Sequence, residues 1–527
     1  MTIYNGGFDS DAATKASEAD VTRIAGRRCA LRAAVAVAAV AAVCLGGFPS
    51  TSFAQKTLNV GVAVFTDTLS PGGGGFNNLS LVFLTTDPLV RRNADDTLGP
   101  GLAQRWEKLE PTRWRFHLRK GVKFHDGVEF TSADVKYTIG YVLDLKTVYV
   151  RKRRISEITR VDIIDPYTLD IITKAPFPTL LRGLSEIPME PKQYHEKVGI
   201  EGYAKHPIGT GPFRYGKWTA GDRYELTANK DYWDGAPKVD SLLVRQISEG
   251  ATRVASLIAG ETHIIEEVPV DLIPSIERRK ELEISSVPSS VSLVITLDTT
   301  TAPFNDPRVR EAMDLAIDKE AINKQLLGGR GEVLQGQLVT RGTLGFNPKL
   351  KARAVDIPRA RKLLADAGYP NGFSTSIITM SGRYLSDTDI CNAVSGMLQK
   401  IGVKAAVNLV EGAVWTTMDR AKQLTPSYMV GWFSVGDADF NTVWYTQAAG
   451  RSYWKNEEYE KLFLAARSTV DEAERIKHYN RMMEIMHQEN PSLFLVGLPR
   501  LYGKSKAVSN WLPSSDSLLR LSKVELR

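Results

Sequence analysis

The seven histidines, His117, His125, His195, His206, His263, His478 and His487, are scattered, and none stands at metal-ligand spacing from a second ligand. Cys29, Cys44 and Cys391 are the only thiols, too few for a cysteine metal cage. No Gly-x-Ser-x-Gly elbow and no His-Glu-x-x-His pair occurs. Gly72 to Gly75 lack the Lys-Ser/Thr pair of a phosphate loop, and Gly209-Thr210-Gly211-Pro212 lacks the third glycine of a dinucleotide turn. Ser452 and Lys455 form one Ser-x-x-Lys, a pairing common by chance, without the companion motifs of a serine acyl-transferase. Residue types for catalysis are present without a catalytic pattern, so neither an enzyme nor a cofactor is expected.

The stretch from Trp415 to Trp454 reads differently. It carries Trp415, Trp432, Phe433, Phe440, Trp444, Tyr445, Tyr453 and Trp454, with Asp437 and Asp439 among them. Aromatic walls with a few fixed charges are what a small-molecule pocket requires. Packing of a core also uses such rings, and that remains the competing reading for each residue alone.

These residues must be held by mixed α and β elements. Leu58 to Phe65 is a strand-like apolar run, and Gly72 to Gly75 is a loop, since four glycines hold no regular element. Trp114, Phe116 and Leu118 alternate with charged residues, the period of a half-buried strand. A hairpin is expected over 161–173, turning at Asp165 and Pro166. Helices are expected after Asp306-Pro307, running to Gly328, and after Asp356, ending at Gly368. Apolar stripes predict further helices from Ile390 to Gly402 and from Ile476 to Pro491. Asp134 is expected to cap a helix that buries Val135 and Ile139.

At 527 residues the chain is too long for one core. The formal charge of +7 is mild, so nucleic acid is not an expected partner. The one dense basic run, Arg151 to Arg154, reads as a solvated loop, with an anion or membrane-surface patch as the alternative. At the N-terminus, Arg23, Arg27, Arg28 and Arg32 precede an uncharged run from Ala33 to Phe48. Ser52, Phe53 and Ala54 then supply a small-x-small pattern, so residues 1–54 are expected to be an export signal cleaved after Ala54. Cleavage there would leave Cys391 as the only thiol, a small apolar side chain on a helical stripe.

Residues 101–139, GLAQRWEKLEPTRWRFHLRKGVKFHDGVEFTSADVKYTI, resemble the signature of the peptide, opine and nickel class of ABC-transporter solute-binding proteins, family 5. PIGTGPF at 207–213, DYWDGAPKVD at 231–240 and FNDPRVREAMDLAIDKEAI at 304–322 follow in the family's order. ARKLLADAGYPNGF at 360–373 and MLQKIGV at 397–403 continue the series. The resemblance implies an α/β fold of the periplasmic-binding-protein type, with two main lobes, a hinge and an inserted third subdomain. It assigns lobe I to 55–95, 207–295 and 491–527, subdomain II to 96–206 and lobe III to 296–490. The hinge falls near 287–295 and 490–497, where Pro288 and Pro491 sit. It further implies a periplasmic monomer that captures a peptide or peptide-like solute by hinge closure. The loaded form would deliver its solute to ABC permease transmembrane subunits.

In peptide-binding members of that family, an acidic residue soon after the Trp432-like position pairs with the peptide's amino terminus. Here the place holds Ser434 or Val435, which puts ordinary peptides in question; Asp437 or Asp439 would substitute after a local gap. The ligand-binding set expected from the sequence is Trp432, Phe433, Asp437, Asp439, Arg383, Tyr384, Trp415 and Phe76. Arg383 would grip a ligand carboxylate, and the Gly72–Phe76 loop would close over the ligand. An opine, a glycoside or a metal chelate stays open as the solute, and a secreted hydrolase is the remote alternative.

Overall fold

The computed structural model describes residues 56–66, 68–73, 76–380 and 382–527, and of Phe76 and Asn77 only the backbone. The expected export signal and the contact expected of Phe76 lie outside what is described.

Among the described residues, ten strands form one hydrogen-bonded path. Their order is Lys404–Val410, Ser374–Met380, Ser427–Phe433, Leu282–Leu297, Ser492–Ser505, Ile264–Glu266, Thr57–Val62, Ser241–Gln246, Arg223–Ala228 and Phe213–Thr219. The two long strands at the centre, Leu282–Leu297 and Ser492–Ser505, run through both halves of this path. They pair antiparallel from Leu282↔Ser505 to Pro288↔Pro499, then from Ser292↔Gly497 to Thr296↔Ser492, and the register shifts between Pro288 and Ser292. Neither proline carries a backbone N–H, so the ladder has no donor at that rung. The Ser289 hydroxyl fills part of the gap by donating to the Leu498 carbonyl at 2.6 Å. This interruption lies in the two long strands that, among the described residues, both halves share. The sequence pointed to Pro288 and Pro491; Pro499 is the proline that faces Pro288.

The apolar cores divide along the same line. One pair of clusters takes residues between Val291 and Leu498, a second pair takes Leu58–Leu84, Phe213–Leu282 and Leu501–Val524, and a separate cluster takes Leu89–Met189. The last surrounds an antiparallel sheet in the order Ala103–Glu110, Arg113–Leu118, Thr168–Thr173, Ile158–Asp165. Phe116 and Leu118 are buried on one face as the alternation predicted, and the 158–173 hairpin turns at Pro166.

Local caps follow the sequence with two differences. Thr131, not Asp134, is the N-cap of Ser132–Leu143; Asp134 is the third helical residue and bonds back to the Thr131 backbone, completing a capping box. The run after Asp306 is two helices, not one. Pro307–Ala316 ends at an extended Ile317, and Asp318 caps Lys319–Leu326 by accepting from Ala321 N. The second aspartate offers its own cap, so the chain restarts there.

Candidate functional site

Strand Ser427–Phe433 carries Trp432 to the seam between the two halves. Beyond it the chain turns sharply, with Val435 and Gly436 both left-handed at φ 49° and 72°. The turn is tied on its own side by Ser434 N to Ser290 O at 3.1 Å, Leu344 N to Gly436 O at 3.1 Å and Ala438 N to Leu344 O at 2.9 Å. From the inserted subdomain, Arg182 Nη1 donates to the Val435 carbonyl at 3.0 Å and to the Asp96 carbonyl at 3.2 Å. A Cβ on Gly436 would stand 1.8 Å from Asp96 Oδ2, so only glycine lets the two parts meet here.

Behind the turn lies an aromatic wall. Trp432 stacks on Trp444 with centroids 5.5 Å apart and planes 15° off parallel. Tyr445, Tyr453 and Trp454 continue the wall around a cavity of about 10 Å³, enough for about one water. Two guanidinium groups face Trp444, with Cζ of Arg153 5.2 Å and Cζ of Arg451 4.8 Å from its centroid, and Cζ of Arg154 lies 4.2 Å from the centroid of Phe440. The basic run that read as a solvated loop is therefore ordered. Lys152–Ile155 is a 3-10 turn, Arg151 is buried, and Arg154 pairs with Glu186 at 2.9 Å. The density of like charge hid this in the sequence, since each arginine is stabilised by a partner far along the chain.

The sequence-derived residues fall into three groups. Phe433, Tyr384 and Arg383 lie on one side of the strand and Trp432 on the other: Tyr384 packs over Gly431, where a Cβ would lie 2.6 Å from its ring, and Arg383 Nε donates to the Tyr384 hydroxyl at 3.2 Å. Asp437 and Asp439 are buried and engaged by arginines of their own half. Arg475 Nη2 reaches both oxygens of Asp437 at 3.1 and 3.0 Å, and Arg467 Nε lies 3.2 Å from Asp439 Oδ1. Burial opposes the charge of Arg475, and the Asp437 carboxylate more than offsets it, raising its pKa. Burial likewise pushes the Asp439 carboxyl up to about 6, against the pull of Arg467. Trp415 packs edge-on against Tyr428 at 6.1 Å, beside the inner core and apart from the Gly436 turn. Ser452 has its hydroxyl 2.7 Å from the Trp454 carbonyl. Sequence reasoning missed Arg182, Asp96 and Arg451, and named Arg153 and Arg154 only as part of a basic run; their meaning depends on contacts far along the chain. Among the described residues no group of His, Cys, Asp or Glu could hold a metal, and no helix is long and apolar enough to cross a membrane.

Two halves sharing a pair of interrupted strands, with an aromatic and arginine-lined seam between them, define a hinged binding protein. The chain belongs to the bacterial extracellular solute-binding proteins, family 5: the family's middle region matches residues 97–453. It is 28% identical over 398 residues to the glutathione-binding protein GsiB of Escherichia coli, covering 72% of this chain and 76% of that one. It is 26% identical to AgaA of A. tumefaciens R10, solved with agropinic acid, at a TM-score of 0.77 over 89% of this chain and 99% of that one. DppA of Helicobacter pylori, solved with the peptide STSA, shares the fold at TM-score 0.79 and 23% identity, over 90% and 98% of the two chains. The function is that of the family: the protein is the solute-binding component of an ABC importer and acts by hinge closure on its solute.

Proposed function

We propose that the solute is a peptide or peptide-like acid, held at the seam between the half containing 291–498 and the half containing 56–282 with its 89–189 insert. The observation that carries this reading is the grip of Arg182 on the Val435 carbonyl beside Gly436, a contact that exists only when the two parts approach. The Trp432–Trp444 stack lines the same seam with a flat apolar surface. Ligand bound to both parts favours the approached form, because it is rewarded by the second set of contacts only there. The protein performs no chemistry on the solute, which leaves unchanged for the permease. It works as a monomer, exported through residues 1–54 and cleaved after Ala54.

The names of the relatives agree on ligand type: glutathione for GsiB, agropinic acid for AgaA, a tetrapeptide for DppA. All carry amide or amine nitrogen together with carboxylate. The reading is tested by thermal unfolding of the purified protein with di-, tri- and oligopeptides, glutathione, opines and sugars. A ligand at about 100 times its Kd adds about 2.7 kcal/mol to stability. Shifts with peptides or peptide-like acids are expected. Shifts confined to sugars would refute the assignment, and the mass of the exported protein checks the cleavage.

A further inference from the structure

Arg153 and Arg451 face the Trp444 ring, Arg154 lies over Phe440 and Arg467 over Phe463, and three carboxylates serve three of these four guanidinium groups. Arg154 pairs with Glu186 at 2.9 Å, Arg451 with Asp419 at 2.9 Å and Arg467 with Asp439 at 3.2 Å. Arg153 has no carboxylate partner among the described residues, although it stands beside Arg154 on a 3-10 turn and faces the ring that Arg451 also faces. Both cations lie about 5 Å from the centre of one indole, so they are at most about twice that distance apart. Partial burial and the charges of Arg451, Arg154 and Arg467 lower the pKa of Arg153. Arg153 remains exposed and Arg451 keeps Asp419 at 2.9 Å, so their repulsion is partly screened, and an anion placed between the two cations lowers it further. A guanidinium fork and a neighbouring aromatic face suit a planar carboxylate better than any neutral group.

We propose that Arg153, with Arg451 across the Trp444 ring, receives a carboxylate of the solute, so that the captured compound is a peptide-like acid of net negative charge. This rests on the reading of the seam as the capture site. The aspartates that would greet an amine, Asp437 and Asp439, are already engaged by Arg475 and Arg467. The seam therefore has a spare cation and no spare anion. Arg383, the carboxylate anchor expected from sequence, donates to the Tyr384 hydroxyl at 3.2 Å and takes no part in this cluster.

The test is isothermal titration of the full protein with glutathione, glutathione ethyl ester, trialanine, trialanine amide and citrate. Wild type is compared with Arg153→Ala, Arg153→Lys and, as an exposed control on the antiparallel sheet, Arg105→Ala. At least one free acid is expected to bind tenfold or more tightly than its ester or amide. Arg153→Ala removes that ratio, Arg153→Lys keeps part of it, Arg105→Ala leaves it intact, and added salt narrows it. Arg153 acting only as a latch between the halves would weaken acid and ester equally, which overturns the anion site. Equal binding of acid and amide by wild type also overturns it and leaves the capture reading standing. Binding of none of these probes, charged or neutral, overturns both.

Discussion

Gly436→Ala separates closure of the seam from ordinary backbone strain. The substitution has two effects. A non-glycine residue at φ 72° costs about 1 kcal/mol in folding, whatever surrounds it. The added methyl would also lie 1.8 Å from Asp96 Oδ2 and 2.4 Å from Arg182 Nη1. Those side chains are not free to retreat, since Arg182 holds the Val435 and Asp96 carbonyls and Arg92 Nε lies 3.5 Å from Asp96 Oδ1. Moving Arg182 away breaks a charge-assisted hydrogen bond across the seam, a loss of about 1.5–3 kcal/mol. That loss exists only in the approached form, so it appears as a ten- to hundredfold weaker Kd. Gly450→Ala is the matched control: its φ is 71°, and a Cβ there meets nothing within 4 Å. Both variants should lose similar stability in urea unfolding, and only Gly436→Ala should lose affinity in titration. Small-angle scattering should show that it fails to compact with ligand. Equal affinity for the two variants would refute the argument that the Val435–Gly436 turn is part of the closed seam.

Asp437→Ala strands the buried guanidinium of Arg475 and should cost about 3–5 kcal/mol in urea unfolding, while the folded fraction binds solute as wild type does. A variant of normal stability that no longer binds would instead make Asp437 a ligand anchor. Glu190 is fully buried, 3.1 Å from His195, and burial pushes its carboxyl up to about 8 while lowering the pKa of His195. The raised carboxyl stabilises the fold at low pH and that contribution falls as pH rises; the depressed imidazole acts in the opposite direction below about 6.5. Above about 6.5 only the carboxyl of this pair still titrates, and the contribution of Glu190 to stability falls by about 1.4 kcal/mol per unit up to about pH 8. Glu190→Gln should lack that drop when melting is followed from pH 6.5 to 8, and parallel curves would refute it. Burial pushes the Cys391 thiol up to about 12, so iodoacetamide at pH 8 should label it only after denaturation; labelling of the folded protein would contradict its burial.

Much of the fold was legible because its signals are local. The Asp306, Asp356 and Thr131–Asp134 starts and the alternation from Trp114 to Leu118 each depend on a few neighbouring side chains. The split at Ile317 was missed because the apolar period continues straight through it into Lys319–Leu326. The interruption of the central strands was half legible. Pro288 announces an interrupted strand, but its opposite number depends on the register of a strand 200 residues away, and register is a tertiary property.

The site was less legible for an electrostatic reason. An acidic residue near an aromatic run reads as a ligand anchor only if nothing else in the fold claims it. Arg475 is 38 residues from Asp437 in sequence and Arg467 is 28 from Asp439, yet both aspartates are occupied. The converse holds for Arg151 to Arg154, where four adjacent cations look like surface until Glu186 and Trp444 are brought against them. Of the four arginines around Trp444 and Phe440, three have carboxylate partners and Arg153 has none among the described residues. The sign of the ligand thus follows from which ion pairs the fold completes by itself. Removing one internal partner should shift that sign: Asp419→Asn frees Arg451, 2.9 Å away, and should strengthen binding of acids relative to their esters. A ratio unchanged by Asp419→Asn and lost in Arg153→Ala would assign the carboxylate to Arg153 alone.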